Sequence, residues 1–570
     1  MNAVEIQDLT YTYPAAHQPT LNGVSLTIQQ GDFVALVGNN GCGKSTLCKT
    51  LNGLIPHFID GDFQGRVSVG GLDTLQADVG TLATKAGYVY QDFENQIVRP
   101  TVLDDASYAC LNYAMPDYLE RGREALRLCG LEGKEQDYIW QLSGGQTHLL
   151  ALSGAVSLRP DILILDEPIA QLDPYHADRV YEVLRELNEI HGKTIIVIEH
   201  HTEYIANYCK HVVLMKDGSI VWNLPTAEAL SRVEELMASN IFPPQVTQAA
   251  YRMKQEGKLD LFGRLPSTVE DGKRLMSDLR WNGTVSCAGH PRQGEKLVEF
   301  QDVVMSYRSV KGEPRVVFDH LNLDIHRGEK IALIGSNGAG KSTLMKLLVG
   351  LLKPERGSVS VEGRDLRKMK TQEISRKISL VYQNPEEMFI KDSVEADVAY
   401  AMRVRNVPQY EEKTSQLLER FSLTELGKRD GRLLSGGQMR RASLAIGIAL
   451  NPEILLLDEP TANLDIATRR EVRKTLADIR DVTDTVIIAT HDMQLVCEWA
   501  ERIVVLYQGT VVADGTRDEI FGNDRIVEMV GIRLPEIFTM GQALDKRAYC
   551  YTVEEFDRQF APMEMRGGNR

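Results

Sequence analysis

Two short segments of this chain place glycine, lysine and hydroxyl side chains at the spacing that binds phosphate. They are Gly38-Asn39-Asn40-Gly41-Cys42-Gly43-Lys44-Ser45-Thr46 and Gly335-Ser336-Asn337-Gly338-Ala339-Gly340-Lys341-Ser342-Thr343, here the first and second phosphate loops. The glycines let backbone N–H groups converge on phosphate oxygens at the start of a helix. Lys44 and Lys341 are expected to neutralise the β- and γ-phosphates. Ser45 and Ser342 are expected to offer a hydroxyl to Mg²⁺.

A second pair of motifs could supply a metal ligand and a general base. The apolar runs Ile162–Leu165 and Ile454–Leu457 end in Asp166-Glu167 and Asp458-Glu459. The aspartate fits a carboxylate held near the metal, and the glutamate fits a base that orients the attacking water. One Asp-Glu pair alone would be read as a solvated strand end. At this spacing from a phosphate loop, nucleotide hydrolysis is favoured.

These residues must be positioned by short strands that lead into loops and helices. Phe33–Val37 and Ile331–Ile334 are apolar runs that end at the first glycine of a phosphate loop. Buried parallel strands have this composition. A strand, a glycine loop and then a helix is the context that phosphate binding needs, so an α/β fold is predicted in each half.

The motifs recur as a long tandem repeat. Leu142-Ser143-Gly144-Gly145-Gln146 recurs as Leu434-Ser435-Gly436-Gly437-Gln438, and the offset is 292 residues here and 297 for the phosphate loops. We predict two domains of one type at residues 1–225 and 297–520, here the first copy and the second copy. Residues 226–296 are predicted to be an extension and linker, and residues 521–570 a second small C-terminal extension, because Phe242-Pro243 is echoed by Leu534-Pro535.

Composition excludes several classes of protein. The 570 residues carry 64 basic and 79 acidic side chains, a net charge of −15, which lacks the footprint of a nucleic-acid binder. The eight cysteines include no C-x-x-C pair, so reduced thiols are expected rather than a zinc or iron–sulfur site. No apolar run approaches the roughly eighteen residues of a membrane span. We therefore expect a soluble, cytosolic chain.

The repeated Leu-Ser-Gly-Gly-Gln motif makes each copy resemble an ATP-binding-cassette (ABC) ATPase domain. Gln91 and Gln383 precede it, and His200 and His491 follow it, as in that family. The resemblance implies two tandem P-loop NTPase domains, each with a helical signature subdomain. It also implies that the two cassettes pair head to tail and hold ATP between one phosphate loop and the opposite signature, so no homodimer is required.

The resemblance implies two composite sites that bind ATP and Mg²⁺. The nucleotide-binding residues would be Tyr13, Gly38, Asn39, Asn40, Gly41, Cys42, Gly43, Lys44, Ser45, Thr46, Ser143, Gly144, Gly145, Gln146, Tyr307, Gly335, Ser336, Asn337, Gly338, Ala339, Gly340, Lys341, Ser342, Thr343, Ser435, Gly436, Gly437 and Gln438. The metal ligands would be Ser45, Gln91, Asp166, Ser342, Gln383 and Asp458. The catalytic residues would be Glu167, His200, Gln91, Glu459, His491 and Gln383. Tyr13 and Tyr307 match the family's adenine-stacking aromatic; the alternative is an exposed aromatic on an edge strand.

The two copies differ at positions near these motifs. Ile169 stands where the second copy has Thr461, and Thr147-His148 stands where the family usually has basic residues like Arg440-Arg441. The changes could make the copies kinetically unequal or could be neutral. Cys42 replaces Ala339, and a thiol at a helix start among amides is expected to have a depressed pKa. The alternative is a small residue that is shielded from reagents.

One branch of the family matches further segments. Leu51–Pro56, Asp92–Val98 and the pair Asp104-Asp105 resemble the ATPases of energy-coupling-factor (ECF) transporters, and the second copy, with Asn384–Phe389, Glu395 and Asp397, fits more loosely. The resemblance implies uptake of a vitamin or a metal ion through a transmembrane coupling protein and a small substrate-binding membrane protein. The chain would lie peripherally on the cytoplasmic face of the membrane. The acidic residues would complement basic coupling helices, or they are ordinary solvated carboxylates.

Three other classes stay open in principle. A ribosome-associated tandem ATPase should carry a long charged arm, whereas residues 223–296 contain ten basic and nine acidic residues and many glycines and prolines. A fused sugar-importer ATPase would be expected to have a degraded second phosphate loop, but Lys341-Ser342 is intact. A non-hydrolysing homologue is disfavoured because the catalytic positions are filled in both copies. The cargo itself cannot be read from this chain.

Overall fold

The computed structural model describes residues 1–170, 172–261, 263–283, 294–307, 315–336, 338–462, 464, 466–479 and 483–562. Asn337, a predicted nucleotide-binding residue, lies outside these ranges. The chain divides into two compact units, Met1–Arg280 with the C-terminal strand, and Trp281–Gln559. Each unit is described by itself.

The first unit is built around a six-stranded, mainly parallel sheet. Its strands in spatial order are Ser219–Pro225, His211–Lys216, Phe33–Val37, Thr194–Ile198, Ile162–Asp166 and Ala86–Val89. Only the edge pair Ser219–Pro225 and His211–Lys216 is antiparallel. Its central strands are buried along their whole length, as expected for a parallel sheet that is covered on both faces. The predicted α/β fold is confirmed.

Alternate residues of the central strand serve two cores. Ala35 and Val37 pack among helices, whereas Val34 and Leu36 pack against a second, antiparallel sheet. The period-two alternation of a strand divides the side chains in this way. That second sheet consists of Leu21–Gln29, Asn2–Thr12, Asp62–Val69 and Leu72–Asp73 in spatial order.

Several helices of the first unit pack on one face of the parallel sheet. The α-helices are Lys44–Leu51, Leu54–His57, Val79–Ala83, Val102–Ala106, Tyr108–Asn112, Tyr118–Leu128, Gly144–Ser157, Pro174–Glu189, Thr202–Tyr208, Thr226–Ser231, Val233–Ala238, Gln245–Gln255 and Val269–Leu275. Short 3-10 helices lie at Phe93–Gln96 and Ile139–Gln141. The helix Gly144–Ser157, here the first signature helix, begins at the repeated motif.

The second unit repeats this architecture. Its mainly parallel sheet runs Ile378–Val381, Ile454–Asp458, Thr485–Ala489, Lys330–Ile334, Arg502–Tyr507 and Thr510–Gly515 in spatial order. Its antiparallel sheet runs Arg315–His326, Lys296–Tyr307, Arg356–Val361 and Arg364–Asp365.

The helices of the second unit follow the same plan. They are Lys341–Leu348, Thr371–Lys377, Val394–Val404, Tyr410–Arg420, Gly436–Ile448, Ile466–Ile479, Met493–Trp499, Arg517–Phe521, Asp524–Val530, Glu536–Leu544 and Val553–Gln559, with 3-10 helices at Leu366–Lys368, Pro385–Met388, Thr424–Leu426 and Gly431–Leu433. Gly436–Ile448 is the second signature helix.

The segments beyond the two copies are short helices that end in a strand. Gln245–Gln255 and Val269–Leu275 precede the strand Leu279–Trp281, and Glu536–Leu544 and Val553–Gln559 precede Phe560–Pro562. The two strands pair in a small sheet. Among the described residues, no helix combines the length and apolarity that crossing a bilayer requires.

Candidate nucleotide-binding sites

The first phosphate loop wraps around its own lysine. Lys44 is 6% exposed, and its Nζ donates to the carbonyl oxygens of Gly38 at 2.7 Å and Asn39 at 3.0 Å. The helix begins after Gly43, whose φ of 102° lies in the left-handed region that glycine adopts without strain. The loop carbonyls therefore hold the ammonium group at the point where the sequence predicts phosphate.

The second phosphate loop has nearly the same geometry. Lys341 is 7% exposed, and its Nζ lies 2.7 Å from the Gly335 carbonyl oxygen and 3.3 Å from that of Ser336. Gly340 has a φ of 105°, which matches Gly43. Both copies thus present a lysine and a following serine at the start of a helix.

The expectation of a reactive thiolate at Cys42 is wrong. Its side chain is buried, with 5% exposure, and this burial raises the pKa of the thiol even though Lys44 and nearby amides act to lower it. At this position the desolvation of the thiolate raises the pKa by more than the charge of Lys44 and the backbone N–H groups lower it. The alternative in the sequence argument, a small shielded residue, is the one the structure supports.

Hydroxyl and carboxylate groups meet at the carboxyl end of the central sheet. Asp166 ends the strand Ile162–Asp166 and is 7% exposed. Burial raises its pKa, while a hydrogen bond from Ser45 and another from the Tyr88 hydroxyl, at 3.4 Å, oppose that rise. In the second copy burial likewise raises the pKa of Asp458, opposed by a hydrogen bond from Ser342.

These oxygen ligands suit Mg²⁺. Among the described residues no cluster of three or more His, Cys, Asp or Glu side chains could hold a metal ion. Magnesium in phosphate-transfer sites is usually held by one or two carboxylates together with substrate phosphates and water. One aspartate and one serine per copy fit that mode of binding, whereas a cage made only of protein ligands would need more.

Three predicted catalytic side chains meet in the first copy. Gln91 Nε2 donates to Glu167 Oε2 at 2.9 Å, and His200 Nε2 lies 3.2 Å from Glu167 Oε1. Burial acts to raise the pKa of Glu167, but the hydrogen bond and charge of His200, with the charge of Lys44, outweigh it and lower the pKa. The carboxylate form is therefore favoured.

His200 is the histidine that reaches the glutamate, while His201 lies 3.5 Å from Glu203. The turn is fixed by Glu199, which is 2% exposed and accepts hydrogen bonds from the backbone N–H groups of His200 at 2.7 Å and His201 at 2.9 Å. The sequence argument missed Glu199. The signal available was a carboxylate that directly follows a buried strand.

The second copy brings fewer of these groups together. His491 Nε2 lies 3.3 Å from Glu459 Oε1 and 3.3 Å from Lys341 Nζ. Burial raises the pKa of Glu459 to about 7, only partly offset by Lys341 and the His491 backbone N–H. Gln383 is exposed, and within the described part of the chain its amide donates no hydrogen bond to Glu459, unlike Gln91 to Glu167.

Each signature motif forms a capping box at a helix start. Ser143 Oγ accepts from the Gln146 N–H at 3.3 Å, and the Gln146 side chain accepts from the Ser143 N–H at 3.0 Å. Ser435 and Gln438 form the same pair. The spacing Ser-x-x-Gln is the sequence signature of this cap. The serine and the following glycine are exposed in both copies, so each helix start is open to an anion.

The predicted adenine-stacking tyrosines lie beside their own phosphate loops. The Tyr13 hydroxyl is 3.2 Å from Thr46 Oγ1, and the Tyr307 hydroxyl is 3.3 Å from Thr343 Oγ1. Tyr307 is 40% exposed. Both rings are thus placed next to the first turn of the phosphate-loop helix.

The alignment of the signature helices needs a correction. Counted from Gln146 and Gln438, the counterpart of Arg440 is His148, and the counterpart of Arg441 is Leu149. Thr147 corresponds to Met439. Both His148 and Arg440 are buried, at 6% and 2% exposure, so the two copies differ in a buried side chain of the signature helix rather than in a surface charge.

The acidic residues that follow Gln91 and Gln383 were expected to face basic coupling helices, but only some of them are exposed. Asp104 and Glu395 are exposed, but Asp105 and Asp397 are buried. Asp105 Oδ1 accepts from the N–H groups of Val98 at 2.8 Å and Arg99 at 3.0 Å. Asp397 makes the equivalent pair of hydrogen bonds to residues 390 and 391, both at 2.9 Å. One acid of each pair is therefore structural.

Comparison with known proteins places the chain in a family. The profile described as ABC transporter matches residues 21–170 and 318–462. A Methanosarcina acetivorans protein named as an ABC transporter ATP-binding protein is 34% identical, covering 93% of this chain and 89% of its own. A Methanosarcina mazei protein with the same name is 31% identical, covering 96% and 95%. Among solved structures, cbiO1 from Clostridium perfringens, part of the ABC transporter complex cbiONQ, is 29% identical with a TM-score of 0.37 and covers 42% of this chain and 97% of its own.

The chain belongs to the ABC transporter family, with two ATPase domains in tandem. It is an ATPase that binds ATP with Mg²⁺ and couples hydrolysis to transport.

Proposed function

We propose that this chain is the ATPase of an ECF-type importer, peripheral to the cytoplasmic face of a membrane. Its partners would be a transmembrane coupling protein and a small substrate-binding membrane protein that takes a vitamin or a metal ion. The proposal rests on the sequence resemblance at Leu51–Pro56 and Asp92–Val98 and on the surface that follows each predicted glutamine.

The observation that carries the proposal is a pair of exposed acidic segments in corresponding regions of the two copies. Asp92, Glu94 and Asp104 are exposed in the first copy, and the second copy exposes Glu386, Glu387 and Glu395. Exposed charge at a rim steers association with a surface of opposite sign. A basic helix of a membrane subunit is the partner that these segments would favour.

The proposed roles of the site residues follow from their geometry. Glu167, held between Gln91 and His200, would accept the proton of the attacking water, and Glu459 would do the same in the second copy. Asp166 and Asp458, with Ser45 and Ser342, would hold Mg²⁺. We further propose residues 1–225 and 297–520 as the bounds of the two ATPase domains, with the segments after them as extensions.

A charge-reversal experiment tests the docking surface. Asp104→Lys should reduce recovery of the chain with membranes from its own cells while ATP binding stays unchanged. Glu189→Lys is the matched control, because Glu189 is an exposed acid at the end of the helix Pro174–Glu189. That helix ends shortly before the start of the strand Thr194–Ile198, whereas the predicted site lies at the carboxyl ends of the parallel strands. Asp105 is not used, because its loss would break the loop itself.

The proteins that co-purify with the chain test which class of ATPase it is. Mass spectrometry of proteins recovered with the unmodified full chain should find two kinds of membrane protein, one of them small. Recovery of ribosomal proteins instead would refute transport of this type and favour a translation-associated ATPase. Equal loss in Asp104→Lys and Glu189→Lys would refute the acidic docking surface.

A further inference from the structure

Arg440 is a buried cation on the second signature helix that no predicted site includes. It lies five residues after Ser435 and is 2% exposed. Its Nη1 donates to the Tyr382 carbonyl oxygen at 2.8 Å, and its Nη2 donates to the Gln383 carbonyl oxygen at 2.6 Å. One side chain therefore ties the helix that begins at the signature to the backbone of the predicted Mg²⁺ ligand.

Placing a guanidinium group here is costly. Burial lowers the pKa of Arg440 to about 10, and the charges of Asp458 and Glu459 oppose that fall. Its Nε has no hydrogen-bond partner among the described residues. A cation with this degree of burial is tolerated only when fixed acceptors and opposite charges surround it. The two carbonyls and the nearby carboxylates supply both, so the side chain is held in one geometry beside the reacting groups.

The first copy replaces this tie with neutral contacts. His148 occupies the position of Arg440, packs against Phe93 with ring centroids 3.4 Å apart and ring planes tilted by 44°, and makes a hydrogen bond with the Pro168 backbone. Burial lowers the pKa of His148 to about 3, so its ring is neutral near pH 7. The first signature helix is thus joined to the segment after Glu167 rather than to the backbone of Gln91.

In the first copy the loop after Gln91 is instead held from within. Gln96 Oε1 accepts from the Tyr90 N–H at 2.7 Å, and Gln96 Nε2 donates to the Tyr88 carbonyl oxygen at 3.1 Å. Met388 stands at the position of Gln96 in the second copy and offers no comparable donor. The two copies therefore hold this loop through different backbone groups, with a local side chain in the first copy and a side chain of the signature helix in the second.

We propose that Arg440 is a positioning residue that transmits movement of the second signature helix to Gln383, and that the first copy lacks this connection. ATP bound at the second signature would shift the start of its helix. Because the Arg440 guanidinium is bonded to the Gln383 carbonyl oxygen, the backbone of Gln383 would shift with it. In the first copy the signature helix contacts the loop through His148 and Phe93, while the Gln96 side chain holds the loop backbone. The inference concerns the ATPase reaction and does not depend on which membrane partner the chain has.

Hydrogen exchange of the full chain, with and without Mg-ATP, tests the connection. In the unmodified chain, nucleotide should change exchange across residues 382–390. Arg440→Met should reduce that change by at least about half while the response across residues 90–98 is unchanged, and kcat should fall by about tenfold while the KM for ATP stays within about twofold. A purely structural role would instead raise exchange across residues 382–390 to the same extent with and without Mg-ATP.

Two further variants keep the test decisive. Arg440→Lys, which retains the charge and can donate to a carbonyl, should restore part of the response at residues 382–390; it also serves if Arg440→Met does not fold. Gln96→Met is the matched control, since it should loosen residues 90–98 without affecting residues 382–390. A nucleotide response at residues 382–390 that is undiminished in Arg440→Met and Arg440→Lys alike, or an equal loss in both loops, would overturn the proposal.

Discussion

The two predicted general bases share an uncommon backbone conformation. Glu167 has a φ of 51° and Glu459 a φ of 45°, in the left-handed region that costs a non-glycine residue energy. Each is held there by the neighbouring strand, because the Glu167 N–H donates to the Ile198 carbonyl oxygen at 3.1 Å and the Glu459 N–H to that of Ala489 at 2.8 Å. Strain at the same residue in both copies indicates that the glutamate direction is built into the fold.

Removing either base should slow hydrolysis without removing nucleotide. Glu167→Gln and Glu459→Gln each keep the phosphate loop and the predicted metal ligands, so ATP binding measured by equilibrium titration should be unchanged. Steady-state turnover should fall by more than about twofold in each variant, because proton acceptance is lost at one site. Glu189→Gln, on the exposed surface, should match the parent. A variant at Glu167 or Glu459 that keeps more than half of the activity would show that its site does not contribute equally.

Cys42 should behave as a protected thiol. Burial raises its pKa, so little thiolate is present near neutral pH and reagent access is low. Maleimide should therefore inactivate the parent and Cys42→Ala at similar rates, and labelling of Cys42 followed by mass spectrometry should become fast only after denaturation. Inactivation that Mg-ATP prevents and Cys42→Ala abolishes would restore the reactive-loop hypothesis.

At the scale of elements, a short helix anchors the loop that follows Gln91. Thr101 caps the helix Val102–Ala106, and Asp105 reaches back to two loop N–H groups. The same device recurs at Asp397 and the helix Val394–Val404. The loop beside Gln91, the predicted catalytic glutamine, is therefore fixed at both ends: by the strand Ala86–Val89 before it and by this helix after it.

Loss of the buried anchor should loosen that loop. Asp105→Ala leaves two loop N–H groups without their acceptor, which costs about 1–3 kcal/mol, so amide exchange at Val98 and Arg99 should accelerate. Asp105→Asn keeps an acceptor oxygen and should restore most of the protection. Asp104→Asn, at the exposed neighbour, should leave both amides unchanged. Faster exchange in Asp104→Asn than in Asp105→Ala would contradict the assignment of the buried residue as the anchor.

Local patterns in the sequence predicted the strands and the helix starts, but they did not show which side chains are buried. The apolar run Phe33–Val37 and the Ser-x-x-Gln signature each carry their own structural signal, and both form the expected element. Asp104 and Asp105 are identical in type, so nothing local shows which one is buried. The charge and helix-start argument for Cys42 omitted desolvation, which depends on residues distant in the chain.

The role of Arg440 could not be predicted from the sequence because its hydrogen-bond partners are distant in the chain. Arg440 bonds to carbonyls 58 and 57 residues earlier in the chain, and no spacing rule connects such positions. The tandem repeat offered the only sequence signal, because His148 and Arg440 differ at a position where the neighbouring motifs agree. Comparison of the two copies can locate such a residue but cannot show what it holds.

At the scale of the whole molecule, the two copies arrange their predicted site residues differently. The first set joins Gln91, Glu167 and His200 directly. In the second set the signature helix is tied to Gln383 through Arg440. The first copy therefore links its predicted general base to a glutamine and a histidine, whereas the second copy links its signature helix to the backbone of its glutamine.

Family resemblance implies that each signature serves the phosphate loop of the other copy, and photolabelling can test this directly. Ser435→Arg places a bulky cation at an exposed helix start that should receive phosphate. Labelling by an azido-ATP analogue, mapped by mass spectrometry, should then be lost from peptides around Lys44 and retained around Lys341. Ser143→Arg, the matched reciprocal variant, should give the opposite pattern. Loss at Lys341 in Ser435→Arg would instead mean that each signature acts on its own copy, and the head-to-tail prediction would be wrong.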